Sequence, residues 1–201
     1  MNQLPPDLLF ETLRNTPLKD IGKWCTINKQ FDAICRSPRG QALIRRLKEE
    51  NVDRFLDFLN TNGTMLGTFL SEMEERELIP QELYTQRSKR QLEVLEQVVL
   101  DFLQEHPEIY PQILTRLNIP IRSNVDPLDQ ILDEMSSSGG IYQVVNFLPQ
   151  PFRSQLITRI GIVYRQFDKD FLVNNIEILF QLQNYLKRQY GHINMFKDFY
   201  F

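Results

Sequence analysis

The sequence predicts an all-α protein, on three observations. Cap-plus-proline pairs recur at Thr16-Pro17, Ser37-Pro38 and Asp126-Pro127, and a capping side chain followed by proline suits the first turn of a helix. Apolar residues return every three or four positions instead of alternating. The segments so marked span roughly 10 to 20 residues and are joined by short Pro, Gly and Asn turns, the layout of packed helices.

Pro5 and Pro6 open the first helix, where a missing N–H costs nothing. Asp7 and Glu11 put negative charge near its N-terminus, and Leu8, Leu9 and Leu13 follow at helical spacing. Thr16 is expected to cap a second helix, with Pro17 in its first turn and Leu18, Ile21, Trp24 and Cys25 along it. Asn28 is expected to cap a third, bearing Phe31, Ile34 and Cys35. Ser37-Pro38 opens a fourth with Leu43, Ile44 and Leu47. An amphipathic stretch through Val52, Phe55, Leu56 and Leu59 stops at Asn60-Thr61-Asn62-Gly63. Further helices are expected over 64–78 and 81–105, in a short piece among Pro107, Pro111 and Pro120, and from Asp126-Pro127 onward. Ser136-Ser137-Ser138-Gly139-Gly140 is the clearest internal break. Segments 141–148, 152–167 and 171–190 follow. The β-branched runs 141–145 and 160–163 suit short strands, but the helical reading is kept for both. No fixed period recurs with matching residues, which argues against a solenoid.

The order of residues in the first 35 to 40 positions is more specific than its periodicity. Leu4-Pro5, Asp7, Leu8-Leu9, Leu13, Pro17, Lys19-Asp20-Ile21 and Ile27-x-Lys29-x-Phe31 together resemble the F-box, the adaptor-docking module of cullin ubiquitin ligases. The resemblance implies a trihelical unit over residues 1–48; the periodicity and turn signals after it read as a helical domain over 49–201 with a sub-boundary near 136–140. The resemblance also implies docking on a Skp-type adaptor and its cullin complex through Leu4, Pro5, Leu8, Leu9, Leu13, Pro17 and Ile21. Trp24, Ile27 and Phe31 would hold the three helices together, and the C-terminal domain would recruit a protein substrate. Such a protein is a non-catalytic ubiquitin-ligase adaptor, working in the cytoplasm or nucleus, or inside a host cell if it comes from a virus or an intracellular bacterium. The alternative is a structural or scaffolding subunit, of a viral or other large assembly, that uses the trihelical unit only for packing. Thr12 and Thr16 in place of the family's aliphatic residues, and the absence of the aromatic-Trp pair that often follows the box, favour that alternative.

Composition bounds the rest. At 201 residues the chain can bury a sizeable core. No apolar run reaches the length of a membrane span, and the N-terminus lacks the basic-then-apolar layout of a signal peptide. Residues 51–140 carry a net charge of −9, against +3 in each flank, so no concentrated basic surface for nucleic acid is expected. Arg45-Arg46-Lys48 and Arg87-Ser88-Lys89-Arg90 read as solvated helix faces. Cys25 and Cys35 are the only cysteines. Both fall on apolar helical faces, and the favoured reading is two buried thiols in a reducing compartment. A disulfide between them depends on geometry.

No catalytic constellation is legible. His106 and His192 lack partners at metal-ligand spacing, and Ser138-Gly139-Gly140 lacks the lysine of a phosphate loop. No enzyme activity, metal or cofactor is expected. The C-terminus places Tyr190, Phe196, Phe199, Tyr200 and Phe201 within twelve residues. They read either as a strap on the core or as a partner-binding tail, the tail resting on Phe196, Phe199, Tyr200 and Phe201.

Overall fold

A computed structural model describes residues 4–137 and 139–190. Among these residues the chain forms eleven α-helices, two short 3-10 turns and no strand. The protein is all-α, and the β-branched runs lie in helices. The chain divides into two compact units, one of residues 1–84 with 168–201 and the other of residues 85–167.

The first unit begins with α1 (Pro6–Asn15), α2 (Ile21–Thr26) after a 3-10 turn at Leu18–Asp20, and α3 (Lys29–Arg36). Asn28 caps α3 as expected, its side chain accepting from the N–H groups of Gln30 and Phe31. Thr16 does not cap. Its hydroxyl turns back to the Thr12 carbonyl at 2.7 Å, and Pro17 precedes the 3-10 turn. The competing acceptor lies one turn back in α1, and a threonine bonds it readily.

Ser37 caps α4 (Pro38–Thr61) by accepting from the Gly40 N–H. The boundary expected near residue 48 therefore falls inside an unbroken helix, and the first three helices share a unit with α4, α5 (Leu66–Glu75) and α11 (Ile176–Tyr190). Gly63, at φ +68°, makes the turn after α4. The larger core of this unit joins Val52, Phe55, Phe69, Leu70 and Met73 to Leu172, Leu179 and Leu182. A smaller core holds Leu13, Leu18, Ile21, Trp24 and Cys35, with Leu43 and Leu47 of α4 and Ile176 and Phe180 of α11 packed against it. Lys169 Nζ lies 2.7 Å from Asp53 Oδ2 within the same unit.

The second unit takes in most of α6 (Gln81–Glu105), then α7 (Tyr110–Arg116), α8 (Pro127–Met135), α9 (Gly140–Phe147) and the first part of α10 (Phe152–Asn174). Asp126 caps α8 as expected, accepting from the Leu128 N–H. The break at 136–140 is a turn within this unit, between two helices that pack on each other. Its core runs through Leu95, Val99, Phe102, Leu103, Ile113, Leu114, Ile131 and Val144. The interruption expected at 167–171 is absent. Helix α10 continues to Asn174 and stops at Asn175, whose side-chain amide donates to the Phe171 carbonyl. Asparagine competes with the helical backbone in this way.

Tyr110 shows how this core handles a polar group. Its hydroxyl donates to the Leu103 carbonyl at 2.8 Å. Burial first, and the Asp126 and Glu108 carboxylates second, hold its phenol above the ordinary value of 10.0. Tyr110→Phe should cost about 1 kcal/mol of unfolding free energy. Because the raised value favours the neutral phenol, the folded state should lose stability as pH climbs above 10, and Tyr110→Phe should not show that loss. Urea titrations at pH 8 and above pH 10 check both points.

Candidate docking surface

The resemblance concentrates its docking residues on α1 and the turn after it. Leu4, just before α1, is 48% exposed and Leu8, in its first turn, is 49% exposed; Pro5, between them in sequence, is also exposed. Pro17 is exposed as well. These four residues are available to a partner. Leu9, Leu13 and Ile21 are not: all three are buried, Leu13 completely.

The expected packing residues also divide. Trp24 is buried and stacks on Phe31, with ring centroids 4.1 Å apart and planes 26° apart. Ile27 is instead 65% exposed at the end of α2. The short link to the Asn28 cap carries it outside the α2–α3 contact. Ile27 thus belongs among the surface residues, while Leu9, Leu13 and Ile21 belong among those that hold the unit together. Leu18, which the family pattern did not single out, is buried with them.

The threonines at 12 and 16 do not present free hydroxyl donors to this surface. Thr12 Oγ1 donates to the Leu8 carbonyl at 2.8 Å and Thr16 Oγ1 to that of Thr12. Beside the apolar corner, a groove of about 560 Å³ runs between α1 and α4. The Arg39 guanidinium sits 4.2 Å from the centroid of the Phe10 ring and 3.6 Å from Asp7 Oδ1. The cation–π contact contributes about 0.5–1 kcal/mol at such an exposed site, and the solvated ion pair adds little. Neither Phe10 nor Arg39 was legible as a pair, because 29 positions separate them and no periodicity connects them.

Cys25 and Cys35 are joined by a disulfide, with Cα atoms 5.9 Å apart. The expectation of two buried thiols is overturned. Helices α2 and α3 pack on each other, so their two apolar faces bring the sulfurs together. Closing so short a loop contributes about 3 kcal/mol on the chain-entropy account.

The basic clusters behave differently from one another. Arg45 and Arg46 are exposed and pair with Glu49 and Glu50 one turn on, as a solvated face should. Arg87 corrects the other expectation. It is only 2% exposed, donates to Gln91 Oε1 at 3.1 Å and lies 5.6 Å from the Phe167 ring centroid. Lys89 and Arg90 beside it remain exposed.

His106 lies between the rings of Phe102 and Phe152, at 4.6 and 5.1 Å, with Nδ1 3.1 Å from Glu108 Oε1. Glu108 is held below the usual carboxylate range, chiefly by a backbone hydrogen bond. Among the described residues no three His, Cys, Asp or Glu side chains gather as a metal site would require, and no helix is long and apolar enough to cross a membrane. His192 and the tail residues Phe196, Phe199, Tyr200 and Phe201 lie outside the described residues, as does the side chain of Tyr190. No protein-family model matches the sequence, and no curated protein or solved structure matches it significantly.

Proposed function

We propose that this chain is a non-catalytic, F-box-like interaction protein that docks on a Skp-type adaptor through α1 and brings a protein substrate to the associated cullin ligase. The observation that carries the reading is the exposed apolar corner of Leu4, Pro5 and Leu8, on a small helical unit whose interior is filled by other residues. Burying that corner against a partner would remove further apolar surface from water, at about 25 cal/mol per Å². The docking set narrows to Leu4, Pro5, Leu8 and Pro17, with Ile27 as a candidate addition. The contribution to ubiquitin transfer is proximity, holding a substrate near a loaded carrier.

A second reading has its own support. Leu43, Leu47, Ile176 and Phe180 pack against the three-helix core, which suits a module built to hold this chain together inside a larger assembly.

Affinity purification with mass spectrometry separates the two. Under the docking reading, adaptor and cullin co-purify with the wild-type chain. Truncating a central apolar anchor commonly costs more than about 2 kcal/mol at an interface. Pro5→Ala with Leu8→Ala should therefore reduce adaptor recovery at least tenfold. The melting temperature should hardly change, because both side chains are exposed. Normal recovery from the double variant would sink the assignment to this corner. If the wild type recovers no adaptor but does recover copies of itself or a fixed set of structural partners, the scaffolding reading takes over.

A further inference from the structure

Of the two cores in the first unit, the one around Trp24 is much the smaller, with five buried residues, one of them Cys35. Its disulfide partner Cys25 is only half-buried, and the two positions are ten residues apart. The larger core, from Val52 to Leu186, contains no cysteine. A small core held by an accessible cross-link beside a large core without one is an arrangement in which local order depends on one bond.

We propose that the Cys25–Cys35 bond is a redox switch that sets the order of α1–α3 while the rest of their unit stays folded. The reductant is a dithiol, either a small molecule or a protein. Its thiolate attacks Sγ of Cys25, the more exposed of the two residues, forming a mixed disulfide and expelling Cys35 as a thiolate. The reductant's second thiolate then attacks its own bound sulfur and releases Cys25. The dithiol leaves as a disulfide, having given two electrons to the Cys25–Cys35 bond, and its two protons end on the two cysteines. Reduction restores loop freedom between α2 and α3, and the stack of Trp24, just before that loop, on Phe31 within it opens as well. The proposal concerns the order of the helices themselves and does not depend on adaptor docking.

The test is amide hydrogen exchange on the full chain in oxidised and in reduced dithiothreitol, with fluorescence recorded alongside. Trp24 is the sole tryptophan, so its emission reports this core alone. On reduction, protection across residues 6–36 should fall by about 100-fold, the factor that loop closure implies. Protection across 52–73 and 178–186 should hold, and Trp24 emission should move to longer wavelength. The double variant Cys25→Ser with Cys35→Ser should resemble the reduced chain in both buffers. Unchanged protection on reduction overturns the switch, as does an equal loss across the whole unit. Complete alkylation of both cysteines without reductant, or a double variant that responds to dithiothreitol as the wild type does, overturns it too.

Discussion

Gly140→Ala should cost the protein about 3 kcal/mol, and Gly40→Ala should cost a similar amount. A Cβ at Gly140 would run into the carbonyl group of Glu134 and the Ser137 hydroxyl, where the chain folds back from α8 into α9. A Cβ at Gly40 would run into the Ile34 carbonyl at the end of α3. The main obstacle in each case is backbone, which cannot rotate aside as a side chain can, so relief requires two helices to separate. At Gly40 the separation would also strain the cap, since Ser37 Oγ accepts from the Gly40 N–H and donates to the Ile34 carbonyl. For a chain of this length such a loss lowers the melting temperature by roughly 6–12 °C. Gly22 and Gly161 supply the control: both are helical, and a Cβ at either meets nothing within 4 Å. Gly22→Ala and Gly161→Ala should raise stability by up to about 1 kcal/mol, the ordinary helix preference for alanine. Thermal melts of the four variants check the contrast. Four alanines of equal effect would sink the steric argument.

Phe55→Ala should be at least as damaging, at about 3–5 kcal/mol. Phe55 is almost completely buried on α4, and its ring lies 6.3 Å from that of Phe69 on α5. Phe69 in turn lies 6.3 Å from Tyr185 on α11. Truncation leaves a cavity at a point where three helices meet, and the loss grows with the volume that the neighbours fail to refill. Phe55→Leu, which keeps most of that volume, should recover more than half of it. Denaturant unfolding gives both values. A loss under 1 kcal/mol for the alanine would show that the site collapses or that Phe55 is not central to this core.

The features that rest on neighbours along the chain were legible. Asn28, Ser37 and Asp126 cap the helices they precede, because the acceptor and the free N–H groups lie within three residues of each other. Helix α6 occupies 81–105 as its apolar spacing predicts. The all-α class follows from the same local rules repeated along the chain.

Where two local rules competed, the sequence did not choose between them. Thr16 had a free N–H group ahead and a carbonyl behind, and it took the carbonyl. The end of α10 depended on which of several polar residues would bond its own backbone, and Asn175 did.

At the candidate docking surface, periodicity identified the apolar residues of α1 and α2 but not which of them faced inward. A helical stripe states that residues share a side, whereas burial depends on what packs there. Leu9, Leu13 and Ile21 turned inward while Leu4, Leu8 and Ile27 stayed outside. The union of Cys25 with Cys35, the burial of Arg87 under Phe167, and the return of α11 to the unit that holds α1 were decided in the same way. Each joins residues brought close only by the packing of whole helices. The sequence by itself therefore determined the helices and most of their ends, which depend on residues a turn apart. Tertiary structure alone decided which face of each helix is available to a partner, because that depends on residues tens of positions away.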